Sequence, residues 1–280
     1  METPGERQIR PVGVLDSGVG GLSVIREIRR YLPHEDILYF ADSGNCPYGV
    51  RPPAEIRDLA ESAAAFLLRQ GAKALVIACN TASTAAVAYL RELWPAVPIV
   101  GMVPAVKPAA RMTTSGVIGV LATEATGQAP VLLDVIDRFA SDVKVLIAAP
   151  PGLVEAVEEG RSDSLETRAI LEKAVEPMLE NGADALVLGC THFPFLRPAL
   201  ENILQGKMHL IDSGDAVARQ TVRVLEAANL LHPQARPGRI FCYTSGDVAL
   251  SRPVIAKLLN LPDPESLSLA FVPADRPRSG

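Results

Sequence analysis

The 280-residue sequence predicts an α/β fold made of two similar three-layer α/β/α domains with mostly parallel sheets, related by a pseudo-twofold duplication. The main evidence is an internal repeat. GAKALVIACN at 71–80 and GADALVLGCT at 182–191 match at six of ten positions, 111 residues apart. Each copy is a short apolar run without polar alternation, which is typical of a parallel strand buried on both faces. Helical patterns around both copies complete the βαβ arrangement.

Each copy of the repeat carries a cysteine just past its apolar run, Cys79 in the first and Cys190 in the second. Open α/β sheets bind ligands at the carboxyl ends of their strands. Cysteine is also a common core residue, but polar residues follow both sulfurs, at Asn80-Thr81 and at Thr191-His192. The matched pair therefore predicts one active site in the cleft between the two domains.

The composition is that of an ordinary globular protein, with 48% hydrophobic and 21% charged residues. Nucleic-acid binding needs a basic face, and the formal net charge of −5 argues against one, so we expect no nucleic-acid partner. No apolar run approaches the ~18 residues of a membrane span, and the N-terminus lacks the layout of a secretory signal, so we expect no membrane association. Four cysteines without a CxxC pair are typical of reduced thiols, and the expected location is the cytoplasm.

The first domain starts with a strand that ends at Asp16 and Ser17, followed by a glycine-rich loop. This loop is not a nucleotide-phosphate motif, because Ser23 stands where a third glycine is needed and the Lys-Ser/Thr pair is missing. What remains is a carboxylate and a hydroxyl at a strand end, where the glycines let a small ligand approach the backbone. The predicted elements are strands at 12–15 and 36–41, helices at 22–32 and 53–70, the first repeat strand, and a helix that stops before Pro95.

The second domain repeats this order. The strand at 116–121 resembles the strand at 12–15, and Ala122-Thr123 stands where Asp16-Ser17 stood, so a whole half is duplicated. Because the second repeat ends near Gly206, we predict a first domain of residues 1–98 plus 207–280 and a second domain of residues 99–206. The other predicted elements are strands at 97–100, 143–148, 209–211 and 239–244, and helices at 103–112, 126–139, 153–159, 164–180, 198–204, 216–230 and 254–259.

The segment CPYG predicts a rigid turn that presents the Tyr48 hydroxyl and the Gly49 backbone. Cys46 has no duplicated partner and is expected to be passive. The histidines other than His192 show no metal-ligand spacing, and no CxxC pair anchors a zinc ion. We therefore expect no metal site.

Two thiols on opposite sides of one pocket suit the inversion of a stereocentre. One proton must leave one face of a carbon while another arrives on the opposite face, so two acid/base groups of similar strength serve both directions. A thiol with a pKa of about 8.5 takes or gives a proton without large bias. Cys79 also comes just before a helix, where the macrodipole favours a thiolate. The pattern favours a reaction whose substrate and product are mirror images.

A set of five motifs carries a family resemblance: DSGVGGLSV (16–24), CPYG (46–49), ACNTAS (78–83), GCTHFP (189–194) and LIDSG (210–214). This set resembles the glutamate racemases, and the resemblance extends from about Pro11 to TSGD at 244–247. It implies cofactor-independent interconversion of L-glutamate and D-glutamate, which supplies D-glutamate for peptidoglycan. It also implies a homodimer.

The resemblance further implies the roles of individual residues. Cys79 would abstract the α-proton of D-glutamate and Cys190 that of L-glutamate, with Asp16 and His192 as their respective helpers. Asp16 is also a candidate for binding the substrate ammonium. The implied substrate contacts are Asp16, Ser17, Tyr48, Gly49, Asn80, Thr81, Thr191 and His192, and Thr123, Asp42 and Glu158 rank second.

Two positions depart from the family pattern. Residues 122–126 keep both threonines of a Gly-Thr-x-Gly-Thr motif, but alanine replaces both glycines. Ala149-Pro150 stands where Cys-Pro is frequent. Neither position holds one of the two implied thiols, so the departures bear on pocket shape or substrate range.

Three alternatives stay open at the level of the sequence. An aspartate racemase, or a related two-thiol isomerase, differs in the side-chain length that the pocket accepts, and no single residue decides this. A thiol hydrolase with Cys190 as nucleophile and His192 as base predicts that Cys79 is dispensable. A two-lobed binding protein is the third alternative, and such a protein would usually carry a secretion signal.

Overall fold

Residues 3–273 are described by the structure, a computed structural model in which strands and helices alternate along the chain. Two sheets are formed, with the strand orders β10-β9-β2-β1-β3-β4 and β6-β5-β7-β8, and their pairings are parallel. The first sheet contains β1 (Val12–Asp16), β2 (Ile37–Ala41), β3 (Ala74–Ile77), β4 (Ile99–Val100), β9 (Ile240–Thr244) and β10 (Leu269–Phe271). The second contains β5 (Val117–Leu121), β6 (Lys144–Ala148), β7 (Ala185–Leu188) and β8 (His209–Asp212).

Helices connect the strands and cover the sheets. Those of the first half and its return segment are α1 (Pro4–Gln8), α2 (Leu22–Tyr31), α3 (Pro53–Arg69), α4 (Asn80–Leu93), α11 (Gly214–Ala227) and α12 (Val248–Leu258). Those of the second half are α5 (Val106–Met112), α6 (Glu124–Gly127), α7 (Pro130–Phe139), α8 (Leu153–Glu158), α9 (Leu165–Glu180) and α10 (Arg197–Leu204).

The two sheets share one strand order. The succession β2-β1-β3-β4 in the first sheet corresponds to β6-β5-β7-β8 in the second. The predicted fold class, with two similar α/β halves and parallel sheets, is confirmed. The first sheet carries two further strands, β9 and β10, which the C-terminal segment adds beside β2.

Two strands lie on the other side of the domain boundaries from where the sequence predicted them. The strand β4 pairs with β3 in the first sheet, although residues 99–206 were assigned to the second domain. The strand β8 pairs with β7 in the second sheet, although residues 207–280 were assigned to the first. In each half the fourth strand hydrogen-bonds to the free edge of the third, which would otherwise expose unpaired backbone groups. The chain therefore passes from the first sheet to the second after Val100 and returns to the first after Asp212. Residues 1–2 and 274–280 of the assigned ranges lie outside the described residues.

Several helix limits also differ from the prediction, and proline and capping explain most of them. The helix expected at 126–139 is divided into α6 and α7, because Pro130 has no N–H to continue the first helix and instead starts the second. The helix α12 begins at Val248 rather than 254, since the Asp247 side chain accepts hydrogen bonds from the backbone N–H groups of Ala249 and Leu250. The short elements α1 and β10 had no counterpart in the prediction.

The buried strands place the predicted site residues at the carboxyl ends of the two sheets. All five residues of β1 and all four of β3 and of β7 are buried, as continuous apolar runs require. The helix α2 buries Leu22, Ile25 and Ile28 at helical spacing and packs against α11. Since the strands are parallel, Asp16, Cys79 and Cys190 all lie at carboxyl ends. Within residues 3–273, no helix is both long enough and apolar enough to cross a bilayer.

Candidate active site

Cys79 lies at the start of α4, directly after β3. It is the N-cap residue of that helix, and its Sγ accepts a hydrogen bond from the backbone N–H of Ala82 at 3.4 Å. On the other side, Sγ lies 3.7 Å from the Ser17 hydroxyl at the end of β1. The side chain is only 4% exposed. The sulfur therefore faces the junction of two neighbouring strands rather than solvent.

The group next to Cys79 is the carboxylate of Asp16, which is fully buried. Its Oδ1 accepts a hydrogen bond from the backbone N–H of Ser17 at 2.8 Å, and its Oδ2 accepts one from the Thr191 hydroxyl at 3.1 Å. Burial raises the pKa of Cys79 well above its ordinary value, and the negative charge of Asp16 adds to this rise. Burial also raises the pKa of Asp16, although the nearby His192 opposes it. The Cys79 side of the site consequently holds its protons firmly.

Cys190 follows β7 at the position that matches Cys79 in the duplication, and it is 7% exposed. Its Sγ lies 3.6 Å from Nδ1 of His192. The other ring nitrogen, Nε2, lies 2.6 Å from Oε1 of Glu158, the last residue of α8. The imidazole thus connects a sulfur to a carboxylate.

Electrostatics favour the protonated form of His192. Burial is the largest single influence and opposes a charged ring, but hydrogen bonding to Cys190, Cys46 and Glu158 outweighs burial and raises the pKa of His192 well above its ordinary value. An imidazolium here donates a hydrogen bond towards Cys190 and an ion-paired hydrogen bond to Glu158. The two sulfurs therefore have different neighbours, a carboxylate for Cys79 and an imidazole for Cys190.

The loop after β1 brings the two halves into direct contact. The Ser23 hydroxyl donates a hydrogen bond to the carbonyl oxygen of Thr191 at 2.9 Å. A Cβ atom added at Gly20 would lie 2.5 Å from Nδ1 of His192 and 2.6 Å from Oγ1 of Thr191. Glu158 reaches across from the second half and accepts a hydrogen bond from the Val19 backbone N–H at 2.6 Å. The glycines therefore permit an approach that no side chain would fit.

A cluster of threonine hydroxyls joins the halves at another point. The hydroxyl of Thr81 at the start of α4 lies 3.0 Å from that of Thr123 and 3.1 Å from that of Thr126. Gly49 packs so closely on Thr123 that an added Cβ would lie 2.7 Å from the Thr123 Cβ. The two threonines kept from the Gly-Thr-x-Gly-Thr motif thus meet the first half of the chain.

Tyr48 and Asp42 form a separate network beside the site. The Tyr48 hydroxyl donates a hydrogen bond to Oδ2 of Asp42 at 2.6 Å, and the Asn45 amide donates to both carboxylate oxygens at 3.0 and 3.1 Å. Ser245, in the TSGD segment after β9, donates a hydrogen bond to Oδ1. Asp42 thereby fixes the tyrosine, and the C-terminal segment in turn fixes Asp42. Sequence reasoning missed Asn45 and Ser245, although both lie next to motifs that it identified.

Asn80 stands apart from the other predicted contacts. Its side chain is 2% exposed, and among the described residues neither its Oδ1 nor its Nδ2 has a hydrogen-bond partner. Buried amides are normally satisfied, because desolvation without a partner is costly. An unpartnered donor and acceptor at the first turn of α4, next to Cys79, are therefore suited to a polar ligand that the site encloses.

Cys46 and Ser43 complete the surroundings of Glu158 and His192. The Ser43 hydroxyl donates a hydrogen bond to Oε2 of Glu158 at 3.1 Å. Cys46, Glu158 and His192 each place one potential metal ligand within 4.8 Å of the other two. Among residues 3–273 this is the group whose ligand atoms could hold a metal ion. The sequence could not reveal this cluster, because its members are 34 or more residues apart and come from both halves.

Comparison with known proteins identifies relatives of this chain. The profile of the Asp/Glu/hydantoin racemases matches residues 12–221. The chain belongs to this family. A glutamate racemase from Stutzerimonas stutzeri (strain A1501) is 54% identical over 237 residues, which cover 85% of this chain and 89% of that protein.

Solved structures of glutamate racemases resemble this racemase over nearly its whole length. A glutamate racemase isoform from Bacillus anthracis is 32% identical, covers 95% of this chain and 98% of its own, and has a TM-score of 0.83. The Escherichia coli glutamate racemase, in complex with L-glutamate and the activator UDP-MurNAc-Ala, is 33% identical, covers 94% and 97%, and has a TM-score of 0.79. The predicted resemblance to the glutamate racemases is confirmed, and the enzyme is an isomerase.

Proposed function

We propose that this racemase interconverts L-glutamate and D-glutamate without a cofactor, with Cys79 and Cys190 as its two acid/base groups. The observation that carries the proposal is their equivalent placement. Each sulfur lies two residues past the third strand of its half and is buried. The two sides approach each other where Thr191, the neighbour of Cys190, donates a hydrogen bond to Asp16, the neighbour of Cys79. The different helpers fit a reaction in which each thiol works on one face of the substrate carbon.

The substrate carboxylate is proposed to lie at the first turn of α4. Backbone N–H groups and the positive end of the helix dipole favour an anion there. Asn80 adds a buried amide without a partner, and the hydroxyls of Thr81 and Thr123 add further polar groups. Asp16 provides a buried carboxylate for the substrate ammonium. The proposed set of contacts is completed by Ser17, Tyr48, Gly49 and Thr191. Asp42 and Glu158 hold Tyr48 and His192 in place by hydrogen bonds.

The proton steps follow from this arrangement. For L-glutamate, Cys190 as a thiolate takes the α-proton, and Cys79 as a thiol delivers its own proton to the opposite face, which gives D-glutamate. Burial keeps Cys79 protonated, so it carries a proton to donate in this direction. Cys190 then passes its new proton to His192, whose ring hands its other proton on to Glu158. Asp16 gives a proton to Cys79, and each sulfur is back in its starting state. The reverse reaction uses the same groups with exchanged roles.

Isotope exchange and single substitutions test the two-thiol reaction. Either glutamate enantiomer in heavy water is expected to lose optical rotation and to gain deuterium at Cα without an added cofactor. Cys79→Ser and Cys190→Ser should each lower the racemisation rate roughly 10²–10⁴-fold, the usual contribution of a general acid or base. Cys242→Ser, which removes a buried thiol from β9, is the control and should stay active. A fully active Cys79→Ser protein would refute the two-thiol proposal.

The choice of glutamate over aspartate rests on similarity to the glutamate racemases. Side-by-side rates with both amino acids test it, and deuterium exchange with aspartate but not with glutamate would assign the protein to a sister enzyme. The two departures in this motif, Ala122 and Ala125, directly precede Thr123 and Thr126, so substrate preference is the property that they would change.

The cellular setting is part of the same proposal. D-glutamate made by this reaction would enter peptidoglycan in the cytoplasm, and four free cysteines are in keeping with a reducing compartment. Growth of a D-glutamate auxotroph on the cloned gene tests the supply role. The proposed homodimer rests on family resemblance, and light scattering of the purified protein gives its mass directly.

A further inference from the structure

Cys46 lies in the site but has no task in the proposed proton steps. Its sulfur, one nitrogen of His192 and one carboxylate oxygen of Glu158 lie within 4.8 Å of one another. Thiolate, imidazole and carboxylate are the three side-chain ligands that zinc prefers in proteins. Three such ligands are the usual protein contribution to a tetrahedral zinc site that keeps its fourth position open.

The three ligands come from both halves of the chain. Cys46 directly follows the 3-10 turn Ser43–Asn45 beyond β2 in the first half. Glu158 ends α8, and His192 lies just past β7, both in the second half. A metal ion bound by all three would therefore join the two halves through coordination bonds and resist their separation.

Neighbouring groups already orient the ligands. Glu158 is held by the Val19 N–H at 2.6 Å and by the Ser43 hydroxyl at 3.1 Å. The His192 ring is fixed between Cys190 and Glu158. Hydrogen bonds of this kind around the ligands strengthen metal sites. Cys46 and Glu158 are partly exposed, so an ion has a route to the buried imidazole.

Only small movements are needed to bind an ion. Tetrahedral zinc with nitrogen and oxygen ligands at about 2.0–2.2 Å separates them by roughly 3.3–3.6 Å. Nε2 of His192 and Oε1 of Glu158 are now 2.6 Å apart, the distance of a hydrogen bond. An ion bound between them replaces the proton of that bond and moves the two atoms apart by about 1 Å. Cys46 loses its thiol proton, and the ion takes the imidazole in its neutral form.

We propose that Cys46, Glu158 and His192 form a zinc-binding site that holds the two halves together and stops turnover. The binding itself does not depend on the reaction, whereas the loss of turnover rests on the proposed racemisation. An ion that takes one ring nitrogen leaves the neutral imidazole with its single proton on the other nitrogen, so His192 can no longer accept a proton from Cys190. The substrate site stays closed, since its residues are buried between the linked halves.

Direct binding tests the site. Metal-free full-length protein is titrated with Zn²⁺ by calorimetry, and with Cd²⁺ by the ultraviolet absorption of the metal–thiolate bond. Wild type and Cys242→Ala, the control for loss of a buried thiol, should bind one ion with equal affinity. Cys46→Ala and Glu158→Gln should each bind at least tenfold more weakly, and Glu158→Gln keeps all four thiols. Equal affinity in Cys46→Ala and wild type would overturn the site and assign any binding to Cys79 and Cys190.

Activity is measured separately with the same proteins. Zn²⁺ should inhibit glutamate racemisation by wild type and Cys242→Ala, a chelator should restore it, and Cys46→Ala should need at least tenfold more Zn²⁺ for half-inhibition. Equal inhibition of Cys46→Ala would contradict the link between this site and turnover. If metal-free wild type does not racemise glutamate while the binding results hold, the proposed function fails and the zinc site stands.

Discussion

Asn80 is the residue at which the structure and the proposed chemistry are most directly connected. Its buried amide has no partner among the described residues, so its polar atoms lower the stability of the ligand-free protein. Hydrogen bonds to a charged ligand contribute about 1.5–3 kcal/mol. The residue therefore belongs to binding rather than to folding.

Asn80→Ala is expected to raise the KM for glutamate, or lower kcat/KM, by roughly 10- to 150-fold, which corresponds to that energy range. The thermal unfolding midpoint should stay the same or rise, because no intramolecular hydrogen bond is lost and two unpartnered buried polar atoms are removed. Steady-state kinetics and calorimetry check both parts. Asn202→Ala, at an exposed position of α10, is the matched control and should change neither the kinetics nor the unfolding midpoint. A large loss of stability with unchanged kinetics would contradict a binding role.

The sequence predicted which residues would gather at the site more completely than it predicted how they contact one another. Cys79 and Cys190 were found because the duplication repeats both the strand and the sulfur. The contact of Cys46 with His192, and that of Ser245 with Asp42, depend on chain segments that lie far apart in the sequence. No local pattern contains that information.

At the level of elements, the loop from β1 to α2 determines how closely the halves approach. Its glycines face Thr191, His192 and Glu158 without side chains of their own. The loop is thus part of the contact surface between the halves, and its lack of Cβ atoms is a requirement of that surface.

Gly20→Ala is expected to push Thr191 and His192 away from Asp16 and to lower kcat/KM at least tenfold, since each 1.4 kcal/mol of lost transition-state stabilisation is a factor of ten. The fold should remain, because the strain falls on side chains at the junction. Circular dichroism and kinetics measure the two effects. Gly5→Ala in α1, where an added Cβ meets nothing within 4 Å, should behave as wild type. Normal activity of Gly20→Ala would show that the halves tolerate a wider separation.

Element boundaries were predicted well where burial is continuous and poorly where single residues decide. The strands β3 and β7 are apolar along their whole length, and β1 is apolar up to Asp16, so their sequences indicate them. The start of α12 depends on one capping side chain, and the break between α6 and α7 depends on Pro130. The edge strand β10 consists of only three residues, an apolar run too short to indicate a strand.

On the scale of the whole molecule, ion pairs fasten the return segment to the first sheet. Both carboxylate oxygens of Asp36 accept hydrogen bonds from the Arg236 guanidinium at 2.8 Å, and Oδ1 also accepts one from the Arg239 backbone N–H. These bonds hold the pKa of Asp36 well below its usual range. They precede β9, so they anchor the strand that carries Ser245 towards the site.

The free energy of unfolding should therefore depend on pH through Asp36. A carboxylate with a lowered folded pKa contributes stability above its unfolded pKa of about 3.9, and the contribution is lost as pH falls towards the folded value. Asp36→Asn is expected to be less stable than wild type at pH 7, with a difference that is constant above about pH 5 and shrinks below about pH 4. Urea unfolding at pH 7, 5, 4 and 3 measures this. Asp134→Asn breaks an exposed pair with Arg138 and should change stability by less than about 0.5 kcal/mol. A difference independent of pH would contradict the assignment.

The common strand order of the two halves has a consequence for the origin of the site. An ancestral chain of half this length would have carried one sulfur after its third strand, and it could have formed a two-sulfur site only by pairing with a second copy of itself. In such a pair both sulfurs have identical neighbours. Fusion into one chain released the two copies from that identity, and the positions that follow the sulfurs now hold Asn80-Thr81 on one side and Thr191-His192 on the other.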